Sequence, residues 1–123
     1  MTLFITGSPC RKGEDHFTCE NGFLREVTSR LPAEPFVLMV SAAPDDAGYN
    51  DNVYESTMAC LVKSGIRPSG SVMLKRDNAC LAESLIGRAE LIILCGGHVP
   101  TQNRFFNEID LKKLMKRRMS NNF

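Results

Sequence analysis

Two unbroken apolar runs, Phe36-Val37-Leu38-Met39-Val40 and Leu91-Ile92-Ile93-Leu94-Cys95, constrain this chain more than any other feature. Successive side chains of a strand point to opposite sides, so a strand with one wet face alternates apolar and polar residues. A run without alternation needs cover on both faces, as in a parallel strand packed between helices. The intervening segments offer that cover. Phe23, Leu24, Val27 and Leu31 recur at helical spacing after Asn21, a capping residue type, and Pro32 stops the pattern. Tyr54, Met58, Leu61 and Val62 do the same after Asp51 or Asn52, with Gly65 near the end. Asn78 is placed to cap a helix through Leu81, Leu85 and Ile86. Thr101 is placed to cap one bearing Phe105, Phe106 and Ile109, and Asp110 to start one bearing Leu111, Leu114 and Met115.

Val72-Met73-Leu74 reads as a weaker strand, and Leu3-Phe4-Ile5, closed by Gly7-Ser8-Pro9, as another. Residues 10–20 and 43–48 read as loops. Strand and helix therefore alternate through the chain. This predicts an α/β fold of three layers around a mainly parallel, Rossmann- or flavodoxin-like sheet. The 123 residues fit a single domain, 1–123.

The totals exclude several function classes. Fifteen basic and 14 acidic residues leave a net charge of +1, too little for a global field that attracts nucleic acid or an anionic membrane. Lys112, Lys113, Lys116, Arg117 and Arg118 do cluster, and read as a solvated helix face or a frayed tail. The longest apolar runs are about five residues, far short of a membrane span. With no basic leader before Leu3, the expected location is cytoplasmic. The five cysteines are odd in number and form no C-x-x-C pair, which points to reduced thiols rather than a disulfide framework or zinc knuckle. Only two histidines, His16 and His98, are present, so no metal is expected.

Sites in open α/β sheets form at the carboxyl ends of strands. Three loops qualify: 7–13, 41–51 and 96–101. Gly96-Gly97 directly after an apolar strand lets the backbone turn sharply and brings its amides near a ligand. Such amides can form an oxyanion hole, or the glycines can simply make a tight turn.

The longer string Gly96-Gly97-His98-Val99-Pro100-Thr101-Gln102-Asn103-Arg104-Phe105-Phe106 resembles a segment of the peptidase E family, the aspartyl dipeptidases and cyanophycinase relatives. Phe4-Ile5-Thr6-Gly7-Ser8-Pro9-Cys10, Glu20-Asn21-Gly22-Phe23-Leu24 and Pro44-Asp45-Asp46 are similar to the same family, so the resemblance spans residues 1 to about 116. It implies a class I glutamine amidotransferase-like fold and a serine-type peptidase acting on a small peptide, without a cofactor. The implied nucleophile is a serine on a Gly-x-Ser-Ala-Gly elbow, served by a later histidine and an acidic residue. No Gly-x-Ser-x-Gly occurs in these 123 residues. The expected chain is thus the front part of such a domain, truncated after its fourth strand and inactive alone.

The resemblance carries over only Gly96 and Gly97 as oxyanion-loop candidates, with His98, Thr101, Gln102 and Asn103 as possible substrate contacts. His98 is not the family's catalytic histidine by position. No catalytic residue is assigned. Cys95 beside the glycines could act as a nucleophile if a base lowered its pKa, but reads better as a small buried apolar residue. His16 reads as an exposed loop residue, and Ser120 has no elbow around it. A strand left without its elbow neighbour becomes an apolar edge, so self-association and marginal stability are expected.

Three alternatives remain. One is a non-catalytic, ligand-binding pseudoenzyme, and another is a gene remnant with no function. The third rests on Gly7-Ser8-Pro9-Cys10-Arg11-Lys12-Gly13, which looks like the phosphate loop of flavodoxin-like FMN reductases. Glu14 and Asp15 directly after it would repel a phosphate.

Overall fold

The computed structural model describes residues 2, 4, 10 and 15–120. The expected strand at Leu3-Phe4-Ile5 and the loop at 7–13 lie outside them, Phe4 and Cys10 apart. Three parallel strands, β1 (Phe36–Val40), β2 (Gly70–Leu74) and β3 (Leu91–Leu94), form a sheet in the order β2-β1-β3. The register runs from Phe36 opposite Gly70 to Val40 opposite Leu74, and from Val37 opposite Leu91 to Val40 opposite Leu94. The helices are α1 (Phe23–Ser29), α2 (Ala47–Lys63), α3 (Ala82–Arg88), α4 (Val99–Glu108) and α5 (Leu111–Met119).

The central strand β1 explains its own lack of alternation. Phe36, Leu38 and Val40 pack with Leu85, Ile86, Phe105, Leu111 and Leu114, from α3, α4 and α5. Val37 and Met39 face the other way, against Val27 of α1 and Cys60 and Leu61 of α2. Helices thus cover both faces, giving the expected three layers of an α/β fold. Val37, Leu38, Met39 and Val40 are all fully buried. Each such side chain stabilises the fold by roughly 1.5–3 kcal/mol, and Leu38→Ala would cost about 2–5 kcal/mol because the sheet cannot collapse around the void.

Gly65 ends α2 as its position suggested. It takes φ 86°, a left-handed conformation that costs a glycine little. The amides of Gly65 and Ile66 then donate to the carbonyls of Val62 and Leu61 at 3.0 and 2.9 Å. That pairing satisfies the last carbonyls of the helix, and Ile66 packs into the same cluster as Leu61.

The helix starts differ from expectation. Asp46, not Asp51 or Asn52, caps α2, its carboxylate accepting from the Tyr49 amide at 3.0 Å. The segment 43–48 is therefore only partly loop. Val99 begins α4 with Pro100 in its first turn, where a missing N–H costs nothing, so Thr101 lies inside the helix. Asn21 has φ 53° within a 3-10 turn, Glu20–Gly22, and makes no cap. Asn78 sits in a 3-10 turn, Arg76–Leu81, and bonds backwards, accepting from the Lys75 amide at 2.8 Å and donating to the Met73 carbonyl at 3.0 Å. Asp110 does precede α5, at φ 53° and without a side-chain cap.

The cysteine expectation is corrected outright. Cys10 and Cys60 form a disulfide across 50 residues of sequence, leaving Cys19 and Cys80 exposed and Cys95 buried as thiols. Sequence spacing carries no information about such a pair. The fold brings it together by laying the segment around Phe17 on α2, where the Phe17 amide donates to Ser64 Oγ at 2.7 Å and Asp15 pairs with Lys63. Cys10 forms a bridge with Phe17, so it arrives beside α2 with that segment. No helix among the described residues is long and apolar enough to cross a membrane.

Candidate functional site

From β1 the chain passes through α2 to β2 on one side, then through α3 to β3 on the other. The crossovers lie on opposite faces, α2 with one core cluster and α3 with the other. The crevice at the carboxyl ends of β1 and β3 is therefore the switch point of the sheet, where α/β folds place ligands. Two of the three loops singled out by sequence, 41–51 and 96–101, meet there.

The β1 exit is rigid. Ser41 and Asn50 are buried polar residues whose bonds close on each other. Ser41 Oγ donates to Asn50 Oδ1 at 2.6 Å and accepts from the Ala43 amide at 2.9 Å. Asn50 Nδ2 donates to the Ala43 carbonyl at 2.9 Å. Fully paired polar groups of this kind hold a loop in one shape, since any rearrangement strands a buried donor or acceptor.

The β3 exit leans on that loop. The Cys95 amide donates to the Val40 carbonyl at 3.0 Å, and Gln102 Nε2 donates to the Cys95 carbonyl at 2.6 Å. The Tyr49 hydroxyl donates to the Gly96 carbonyl at 2.8 Å. A Cβ on Gly97 would stand 3.0 Å from Ala42 Cβ and 3.6 Å from Tyr49 Oη, whereas one on Gly96 would meet nothing within 4 Å. Gly97 is thus required by close approach to the β1 loop, and Gly96 is not. Both glycines are exposed, so the loop forms an open ledge.

The other expected contacts divide. His98 is exposed at the start of α4, with Nδ1 2.8 Å from Thr101 Oγ1. Asn103 is exposed on the same helix. Gln102 is only half-buried, but its amide nitrogen is committed to the Cys95 carbonyl, so it positions the loop. Cys95 is buried, and burial pushes its thiol up to about 11, away from the thiolate a nucleophile needs. His98 is engaged with Thr101 rather than with that sulfur.

Sequence reasoning missed a charged cluster at the same end of the sheet. Arg76, just after β2, places Nε 3.0 Å from Asp45 Oδ1 and pairs through Nη1 with Glu108. Its guanidinium lies 5.4 Å from the centre of the Phe105 ring. The hydrogen bond from Arg76 holds the Asp45 carboxyl below its ordinary range, and the two carboxylates raise Arg76. Its place at a strand's carboxyl end was the available signal. A cavity of about 300 Å³ lies beside the β1 loop, between α2 and β2, with Asn50, Asp51, Tyr54, Ser71, Lys75 and Asn78 in its lining. No group of three His, Cys, Asp or Glu side chains able to hold a metal gathers among the described residues. No family model, curated protein or solved structure matches this chain.

Proposed function

We propose that this chain carries the ligand-binding loops of a peptidase E-like serine-type dipeptidase, and that alone it binds a small peptide without cleaving it. The reading combines the resemblance of residues 96–106 with one geometric observation: Gly97 is pressed against Ala42 at the switch point of the sheet, at 3.0 Å for any added Cβ. A backbone brought that close leaves its amides, rather than a side chain, to meet a carbonyl oxygen. Catalysis would still need a nucleophile on an elbow and a base, and these 123 residues contain no Gly-x-Ser-x-Gly. The buried Cys95 thiol does not replace it.

The test is to incubate the purified chain with Asp-X dipeptides, following amine release and, in parallel, NMR shifts of the Gly96 and Gly97 amides. Saturable shifts without hydrolysis are expected, and Gly97→Val should remove them. Hydrolysis blocked by a serine-directed phosphonate would overturn the inactive part of the reading. Absence of any shift at millimolar peptide would overturn the binding part.

A further inference from the structure

Helix α5 carries Lys112, Lys113, Lys116, Arg117 and Arg118. The last two have structural work. Arg117 pairs with Glu83 at 2.8 Å, and Arg118 donates to the Ala89 carbonyl at 2.8 Å. Lys112, Lys113 and Lys116 are exposed and have no ion-pair partner among the described residues. Lys112 and Lys113 also occupy the first turn of α5, which holds no acidic residue. The partial positive charge of a helix N-terminus disfavours cations there, so helix stability does not account for them.

These lysines line a groove of about 480 Å³ between α4 and α5. The buried Leu111 and half-buried Phe106 supply its apolar lining, the exposed lysines its charge, and Asn107, Asp110 and Arg117 complete it. We propose that the groove docks an extended acidic segment of a partner protein in which acidic and apolar residues alternate. Lys112 and Lys116 are four residues apart, roughly 6 Å along the helix axis. Carboxylates two residues apart on one face of an extended chain are separated by about 6.6 Å, close to that spacing. The residue between them points the opposite way, so an apolar side chain there is free to meet the apolar lining of Phe106 and Leu111. An apolar centre with a charged rim is how protein contacts are usually built. Asp110 can accept from the amides of such a peptide, donors that a phosphate does not offer. The cationic stretch is also only the nine residues of α5, roughly 14 Å, against the long lattice of charge that a nucleic acid presents.

A fluorescein-labelled peptide with a Glu-Leu-Glu-Leu-Glu core, titrated with the full chain at low salt and read by anisotropy, tests this. Saturable binding is expected, weakened about tenfold or more in the double variant Lys112→Glu, Lys116→Glu, since two exposed attractions become repulsions. Raised salt should weaken it as well. Circular dichroism and a thermal melt check that the variant keeps the fold. Equal binding by the variant, or none at millimolar protein, overturns the proposal. Tighter binding of an oligouridylate of matched charge also overturns it, and reassigns the groove to phosphate.

Discussion

The hydroxyl of Tyr49 donates to the carbonyl oxygen of Gly96 at 2.8 Å, so a side chain in the first turn of α2 holds the backbone that leaves β3. Gly97 then packs against Ala42, two residues beyond the end of β1. The two glycines, adjacent in sequence, should therefore respond differently to substitution. Gly97→Val must displace the β1 loop and should destabilise the fold by about 1–3 kcal/mol. Gly96→Ala meets open space and should stay within about 0.5 kcal/mol of the parent. Tyr49→Phe removes one hydrogen bond and should cost about 1 kcal/mol. Urea denaturation of the three variants measures this, and equal costs at the two glycines would refute the close approach.

The Cys10–Cys60 disulfide closes a loop of 50 residues and ties the segment around Phe17 to α2. Its removal restores freedom to the unfolded chain and should lower stability by about 2–4 kcal/mol. Guanidinium unfolding with and without a phosphine reductant, alongside Cys60→Ser, reads the difference. Unchanged midpoints, or free-thiol titration of all five cysteines in the native protein, would exclude the bond.

Burial raises the Cys95 thiol from its ordinary value near 9 to about 11. The unfolded chain therefore loses this proton at lower pH than the folded chain does. Stability from this group is whole below pH 9 and falls as pH rises toward 11, by up to about 2–3 kcal/mol. In Cys95→Ala that part of the alkaline loss should vanish. At pH 8 an alkylating reagent should label Cys19 and Cys80, which are exposed, and spare Cys95. Early labelling of Cys95 would contradict its environment.

Among the described residues β3 pairs with β1 alone, and Leu94 on it is 48% exposed. The strand Leu-Ile-Ile-Leu contains no lysine or proline to discourage another chain from adding to it. We predict a scattering mass that rises with concentration, and a smaller rise in Leu94→Lys. A constant monomer mass in the parent would remove the basis for self-association.

The elements themselves were legible because their signals are local. The unbroken run 36–40 required two covered faces, and Leu85 and Leu61 approach it from opposite sides. Gly65 marked the end of α2, since a left-handed residue is needed there. Helix starts were less legible. Asp46, Asp51 and Asn52 are all competent caps, and the local pattern does not rank them. Asp46 was the cap once the β1 loop had closed around Ser41 and Asn50.

The sequence by itself determined the α/β class, the strands from β1 to β3, and the position of a glycine turn at a strand's carboxyl end. Side-chain periodicity, proline and glycine act over a few residues, so they can be read along the chain. Only the tertiary structure decided the order β2-β1-β3, and with it which loops share the switch point. It also decided that Gly97 rather than Gly96 is sterically required, that Gln102 turns inward to Cys95, and that Arg76 joins Asp45 to Glu108. The Cys10–Cys60 bond belongs with these. Each is a contact between distant residues, set by how crossovers pack on opposite faces of the sheet, and no local pattern encodes that choice.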